Sequence, residues 1–324
     1  MDMLHITGLS KRFGEKEVLK GLDLSVPERS IFGFIGKNGA GKTTTMKTIL
    51  GLLKADSGEI HVAGEKVVYG QTATNRYIGY LPDVPEFYSF MTPKEYLAFC
   101  GDITGLDKKE SKKRSEELLE LVGLGGEKHR IKGFSRGMKQ RLGIAQALLN
   151  QPKLLICDEP TSALDPIGRK EILDILLAAK EQTTVLFSTH ILSDVERICT
   201  DVAFLNDGVV SMQGTLSDIK TTYRQEEYCL ETELDGDKIR MLQVFPAMRP
   251  MERNQLYFSE KDYNVFELLQ FVTENRISIL KLERIEPTLE ALFMRNVATA
   301  NVIEDMDLEY PLSHPLTFIK FRKK

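Results

Sequence analysis

The chain has 324 residues, 42% of them apolar, with 43 basic and 47 acidic side chains and a formal charge of -4. That length favours two domains over a single core, and the slightly acidic balance argues against a nucleic-acid-binding surface. No stretch of about 18 uncharged apolar residues is present, which excludes a membrane-spanning helix.

Residues 1–30 alternate apolar and polar, as in Leu4-His5-Ile6-Thr7 and Leu22-Asp23-Leu24-Ser25-Val26, with Gly8, Gly14 and Gly21 as punctuation. This predicts short antiparallel strands. The run Ile31-Phe32-Gly33-Phe34-Ile35 predicts a buried strand and Thr43–Leu53 a helix. A strand pair is expected over Gly58–Val68, turning at Ala63-Gly64-Glu65. From Thr92 to Gly123 the pattern is helical, with Thr92 as a cap and Pro93 in the first turn. A helix over Lys139–Leu149, a strand at Leu154-Leu155-Ile156-Cys157, a helix over Arg169–Lys180 and a strand over Thr184–Ser188 follow. Strands alternating with helices indicate a mostly parallel sheet.

Near Ser217 the character changes. Residues 226–234, 254–260 and 277–285 read as strands, 237–245 and 262–275 as helices, and 288–297 as a last helix. This divides the chain into a first domain over 1–220, a small α/β unit over 221–298 and a proline-interrupted tail over 299–324. Met1-Asp2-Met3-Leu4-His5 lacks the basic start and apolar stretch of a secretory signal. Cys100, Cys157, Cys199 and Cys229 are far apart, without a C-x-x-C pair, and read as separate reduced thiols of a cytosolic protein.

Chemistry concentrates in a few segments. Gly36-Lys37-Asn38-Gly39-Ala40-Gly41-Lys42-Thr43-Thr44 fits the phosphate-binding pattern G-x-x-x-x-G-K-[ST], between an apolar strand and a helix as that pattern requires. Its glycines let the backbone curl so that N–H groups converge on a polyphosphate, and the helix N-terminus adds positive potential there. Lys42 is expected to reach the β- and γ-phosphates and the Thr43 hydroxyl to ligate Mg²⁺. These residues make the chain a binder of a nucleoside triphosphate. Asp158 ends the strand Leu154–Cys157 and is a second Mg²⁺ candidate. Glu159 follows at once, placed to polarise a water for attack on the γ-phosphate. In Phe134-Ser135-Arg136-Gly137-Met138-Lys139-Gln140-Arg141-Leu142, Ser135 can cap the helix that follows it.

The order of these segments resembles the ATP-binding subunit of an ABC transporter. Ser135-Arg136-Gly137-Met138 stands where that family has its Ser-Gly-Gly-Gln signature. The resemblance implies that Ser135 and Gly137 contact an ATP held by the phosphate loop of a second subunit, in a head-to-tail pair. Ser162-Ala163-Leu164-Asp165 matches the D-loop, so Asp165 is implied near the paired sites. Ser188-Thr189-His190 matches the switch histidine, implying a γ-phosphate contact for His190. Lys11-Arg12-Phe13-Gly14 matches the aromatic loop, and Phe13 would stack on adenine. Two positions depart from the pattern. Asp83, in Ile78-Gly79-Tyr80-Leu81-Pro82-Asp83, occupies the glutamine position and is kept as a Mg²⁺ candidate, while Arg136 and Met138 replace the signature's first glycine and its glutamine.

With Thr288-Leu289-Glu290-Ala291-Leu292-Phe293, these departures resemble the branch that serves ABC-2-type exporters. The fold then implied is α/β: a P-loop NTPase with a RecA-like parallel sheet, an N-terminal antiparallel β subdomain, a helical subdomain over about 85–150 and the small C-terminal α/β appendage. The function implied is ATP hydrolysis that drives export through a separate membrane permease, from the cytoplasmic face of the membrane. The apolar residues Pro85, Phe87, Tyr88, Phe90 and Met91 are expected either to dock that permease or to be buried in the chain's own core. A non-transport ATPase acting on ribosomes or nucleic acid is the alternative, and an ATP-controlled regulator working through the appendage is a third reading.

Overall fold

A computed structural model describes residues 2–71, 73–222, 227–285 and 289–290. The alternating N-terminal segment forms β1 (Asp2–Phe13) and β2 (Lys16–Pro27), an antiparallel hairpin of two long strands rather than several short ones. With β4 (Ser57–Val62) and β5 (Glu65–Lys66) they make a sheet in the order β2-β1-β4-β5. The turn between the last two falls at Ala63 and Gly64, both at positive φ, where the sequence placed it.

The central sheet has the order β10-β9-β3-β8-β7-β6, from β3 (Ile31–Gly36), β6 (Ile78–Leu81), β7 (Leu154–Asp158), β8 (Thr184–Thr189), β9 (Asp201–Asn206) and β10 (Val209–Thr215). The last strand is antiparallel and the rest parallel. Strands β3, β7 and β8 are buried along their whole length, hence their continuous apolar runs. Their alternate residues serve opposite cores. Ile31, Ile35, Leu155, Cys157, Val185 and Phe187 join the core under the helices. Phe32, Phe34, Leu154, Ile156 and Leu186 join the one shared with the antiparallel sheet.

The helices are α1 (Lys42–Ile49), α2 (Pro93–Thr104), α3 (Lys108–Leu121), α4 (Arg136–Leu148), α5 (Pro166–Ala179) and α6 (Leu192–Ile198). Thr92 and Glu95 form a reciprocal capping box on α2, and Pro93 sits in its first turn. The single helical stretch expected over 92–123 is two helices, parted at Gly105 and restarted by the Asp107 cap. The helix expected from Lys139 begins at Arg136, because the Ser135 hydroxyl accepts from the Met138 N–H.

After α7 (Leu216–Thr222) come β11 (Glu227–Thr232), α8 (Asp235–Val244), β12 (Arg249–Pro250), β13 (Gln255–Ser259), α9 (Val265–Glu274) and β14 (Ile279–Arg284). This β-α-β-β-α-β succession forms an antiparallel sheet in the order β12-β13-β11-β14, the split arrangement of ferredoxin-like units. Its own core includes Leu230, Met241, Leu256, Phe258 and Leu268. The expected last helix over 288–297 and the tail over 299–324 lie outside the described residues, except that Leu289 and Glu290 are helical. Among the described residues no helix is long and apolar enough to cross a membrane. The four cysteines are free, and burial pushes each thiol above its usual range.

Candidate functional site

Parallel register gathers the site at the C-terminal ends of β3, β8, β7 and β6. Strand β3 ends at Gly36, and the loop that follows turns into α1 through Gly41 at φ 112. That dihedral favours glycine, and a Cβ there would also crowd Leu19 Cδ2 at 2.7 Å. In the next strands Asp158 is level with Ser188, and Leu81 with Cys157. Asp83, Asp158, Glu159 and His190 therefore emerge on the same edge as the loop.

A cavity of about 360 Å³ opens there, walled by Val18, Asn38, Gly39, Gly41, Lys42, Thr43, Thr44, Asp83, Asp158, Glu159, Ser162 and His190. Lys42 is buried, and its ammonium donates to the carbonyls of Gly36 at 2.6 Å and Lys37 at 3.2 Å. It also lies 3.0 Å from Glu159 Oε1. Two of its N–H groups are thus taken by backbone carbonyls, and the carboxylate is its ionic partner. Glu159 adopts φ 49, a left-handed conformation rare outside glycine, and its other oxygen lies 2.9 Å from His190 Nδ1.

Asp158 is 2% exposed, so its charge needs partners. Thr43 Oγ1 donates to Asp158 Oδ2 at 2.7 Å and Ser188 Oγ to Oδ1 at 2.6 Å. Ser188 in turn accepts from the Glu159 N–H at 3.0 Å, tying the carboxylate pair to β8. Burial first, and the Asp158 charge next, push the Tyr80 phenol up to about 12, so it stays neutral beside the site. Asp83 meets Arg136 Nη2 at 3.1 Å and stands between this cavity and a second one. That second groove, about 460 Å³, is bordered by Val84, Pro85, Phe87, Ser89, Ile131 and Lys139 among others.

Of the residues the sequence singled out, Asn38, Gly39, Gly41, Lys42, Thr43, Thr44, Asp83, Asp158, Glu159 and His190 share the cavity. Gly36 and Lys37 hold the Lys42 ammonium from outside its wall, and Ala40 closes the loop by donating its N–H to the Lys37 carbonyl. Phe13, half exposed with Lys11 over its ring, lies apart, and so do Ser135, Gly137 and Asp165. Ser135 caps α4 and Asp165 caps α5, accepting from the Gly168 N–H at 3.1 Å. Val18 went unassigned in the sequence, and Ser162 and Ser188 appeared there only inside motifs, with no role of their own. Ser188 was legible only as the strand residue level with Asp158, which needs the register. Of the apolar cluster, Tyr88 and Phe90 are exposed, whereas Phe87 and Met91 pack on the core and Phe87 meets Tyr96 edge-on.

A phosphate loop after β3, a buried carboxylate at the end of β7, one strand removed across β8, and a mostly parallel sheet define a P-loop NTPase. Residues 19–162 match the family model described as ABC transporter. The chain is 36% identical to the bacitracin transport ATP-binding protein BcrA of Bacillus licheniformis, over 93% of this chain and 99% of that one. It is 34% identical to the linearmycin resistance ATP-binding protein LnrL of Bacillus subtilis strain 168, over 90% and 97%. A solved dimeric ATP-binding cassette, MJ0796 in a post-hydrolysis state bound to ADP and Pi, superposes with a TM-score of 0.59 at 26% identity, over 66% of this chain and 99% of that one. The chain belongs to the ATP-binding proteins of ABC transporters, and its activity is ATP hydrolysis coupled to transport.

Proposed function

We propose that the chain drives export as the peripheral ATPase of an ABC-2-type exporter, working as a head-to-tail pair beneath a separate membrane permease. The observation that carries the catalytic half is the Lys42–Glu159–His190 chain in the cavity wall. A triphosphate takes the place of the Glu159 carboxylate at Lys42, a stronger anion for the same ammonium. Glu159, released from Lys42 but still facing His190, then accepts the proton of the attacking water, and His190 steadies the carboxylate and the γ-phosphate. Asn38, Gly39, Gly41 and Thr44 supply loop and helix N–H groups to the phosphates, while the Ala40 N–H holds the loop closed on the Lys37 carbonyl. Phe13 offers its exposed ring to the adenine.

The donor set fits Mg²⁺: Thr43 Oγ1 and Asp158 are hard oxygen ligands already 2.7 Å apart, and Asp83 lines the same cavity. When bound, Mg²⁺ would neutralise charge developing on the β- and γ-phosphate oxygens. Ser135, Gly137 and Asp165 do not line the chain's own cavity, which supports their engagement of a nucleotide held by the second subunit.

Support for the permease is the groove beside Asp83 with Val84, Tyr88 and Phe90 exposed around it, an apolar surface of the kind that marks partner contact. Support for export is the likeness to proteins named for bacitracin transport and linearmycin resistance, both along nearly their whole lengths. The test is affinity purification of the tagged chain from detergent-solubilised membranes of its source. A stoichiometric multi-spanning protein in the eluate is the expected result. Ribosomes or nucleic acid in its place would support the non-transport alternative and refute this one.

A further inference from the structure

The two positions at which the sequence departs from the family pattern, Asp83 and Arg136, touch. Arg136 Nη2 lies 3.1 Å from Asp83 Oδ1. The next turn of α4 holds the same residue from behind: Gln140, fully buried, donates Nε2–H to the Asp83 carbonyl at 2.7 Å. Positions 136 and 140 are neighbours on one helix face, so α4 grips Asp83 by both its backbone and its carboxylate. Asp83 borders both cavities, while Arg136 borders only the groove. The guanidinium therefore approaches from the side away from the phosphate loop.

Charge gives the pair its purpose. Three carboxylates, Asp83, Asp158 and Glu159, face the cavity beside one buried ammonium, Lys42. Asp158 is satisfied by two hydroxyls, while Glu159 has Lys42 as its ionic partner and meets His190 Nδ1. Among the described residues, the ionic partner of Asp83 is Arg136. A glutamine at position 83 would carry no charge and would need no such partner. An aspartate there adds a charge that repels an arriving polyphosphate unless something cancels it.

We propose that Arg136 is a positioning residue for Asp83, holding its carboxylate where it borders both cavities and cancelling its charge while a nucleotide enters. This rests on the reading of the cavity as the ATP site. Both side chains are 42% and 47% exposed, and pairs that exposed contribute little to folding stability. Loss of the pair therefore shows in binding rather than in folding.

The test is calorimetric titration of the full chain with ATP, once in EDTA and once with Mg²⁺, for wild type, Arg136→Ala, Asp83→Asn and the double variant. In EDTA, Arg136→Ala weakens binding about threefold to tenfold through the uncompensated carboxylate. Adding Asp83→Asn recovers most of that loss, which a merely structural role of Arg136 would not produce. With Mg²⁺ the penalty shrinks, since a divalent cation reverses the sign of the interaction with Asp83. Wild-type affinity in Arg136→Ala, a double variant no better than the single, or an equal penalty in both buffers overturns the proposal. A wild type that binds no ATP refutes instead the reading of the cavity. Should a melting curve show Arg136→Ala unfolded, Arg136→Gln replaces it in the same cycle.

Discussion

At the residue scale the site turns on Glu159. Its carboxylate bridges Lys42 and His190 across the cavity from a left-handed backbone position immediately after β7. Glu159→Gln keeps the shape and the His190 neighbour but removes both the base and the competitor for Lys42. ATP binding should therefore be retained or tightened, while turnover falls by about 10²–10⁴, the usual range for a positioned general base. With hydrolysis blocked, the variant should elute as a dimer at saturating Mg-ATP. Phosphate release above a quarter of the wild-type rate, or a monomer under those conditions, would refute the assignment. Lys42, Thr43, Asp158, Glu159 and His190 were legible because each sits at a fixed offset from a strand end, where the pattern of residues carries the geometry. Ser188 and Val18 were not. Ser188 acts through its register with Asp158, and Val18 reaches the cavity from β2, outside every motif.

At the scale of elements, the site depends on how closely α4 lies against β6, because Asp83 follows that strand and is gripped by that helix. Gly79 on β6 makes the approach feasible: a Cβ there would stand 2.1 Å from the Ala147 carbonyl oxygen, a backbone atom that cannot swing aside. Gly79→Ala must push α4 outward, an overpacking change expected to cost about 1–3 kcal/mol. Urea denaturation measures that loss, and the displaced Arg136 should weaken Mg²⁺-free ATP binding in parallel. Unchanged stability would mean that α4 does not pack as closely as the structure has it. Sequence patterning located α4 but began it at Lys139, since Arg136, Gly137 and Met138 carry no apolar period and only the Ser135 cap marks the true start. The unit after α7 was legible in its long strands and helices. Strand β12 was not, for it is two residues long and contains Pro250, which cannot donate to a ladder.

At the scale of the whole molecule, the question is whether the C-terminal unit is merely tethered to the ATPase or seated on it. Strand β14 ends at Arg284, yet Leu289 is fully buried and belongs to the core beneath the helices of the ATPase unit, with Ile198, Val202 and Ile219. Its N–H donates to Glu196 Oε1 at 3.2 Å, and Glu196 is itself 3.2 Å from the Lys220 ammonium. Glu196 lies on α6, the helix that starts two residues beyond His190. The chain thus leaves the ATPase core through α7, builds a second sheet and, among the described residues, returns Leu289 to the first core. Truncating a buried leucine costs about 2–5 kcal/mol through lost transfer energy and the cavity left behind. Leu289→Ala should accordingly destabilise the ATPase unit, although it lies far beyond that unit in sequence. Two cores can melt separately, and ATP distinguishes them, because a ligand raises only the transition of the unit that binds it. In calorimetry the ATP-responsive transition should fall in Leu289→Ala and stay put in Leu280→Ala, whose side chain is 63% exposed on β14. A shift confined to the ATP-insensitive transition would show that Leu289 stabilises only the appended sheet, and the seat on α6 would be refuted.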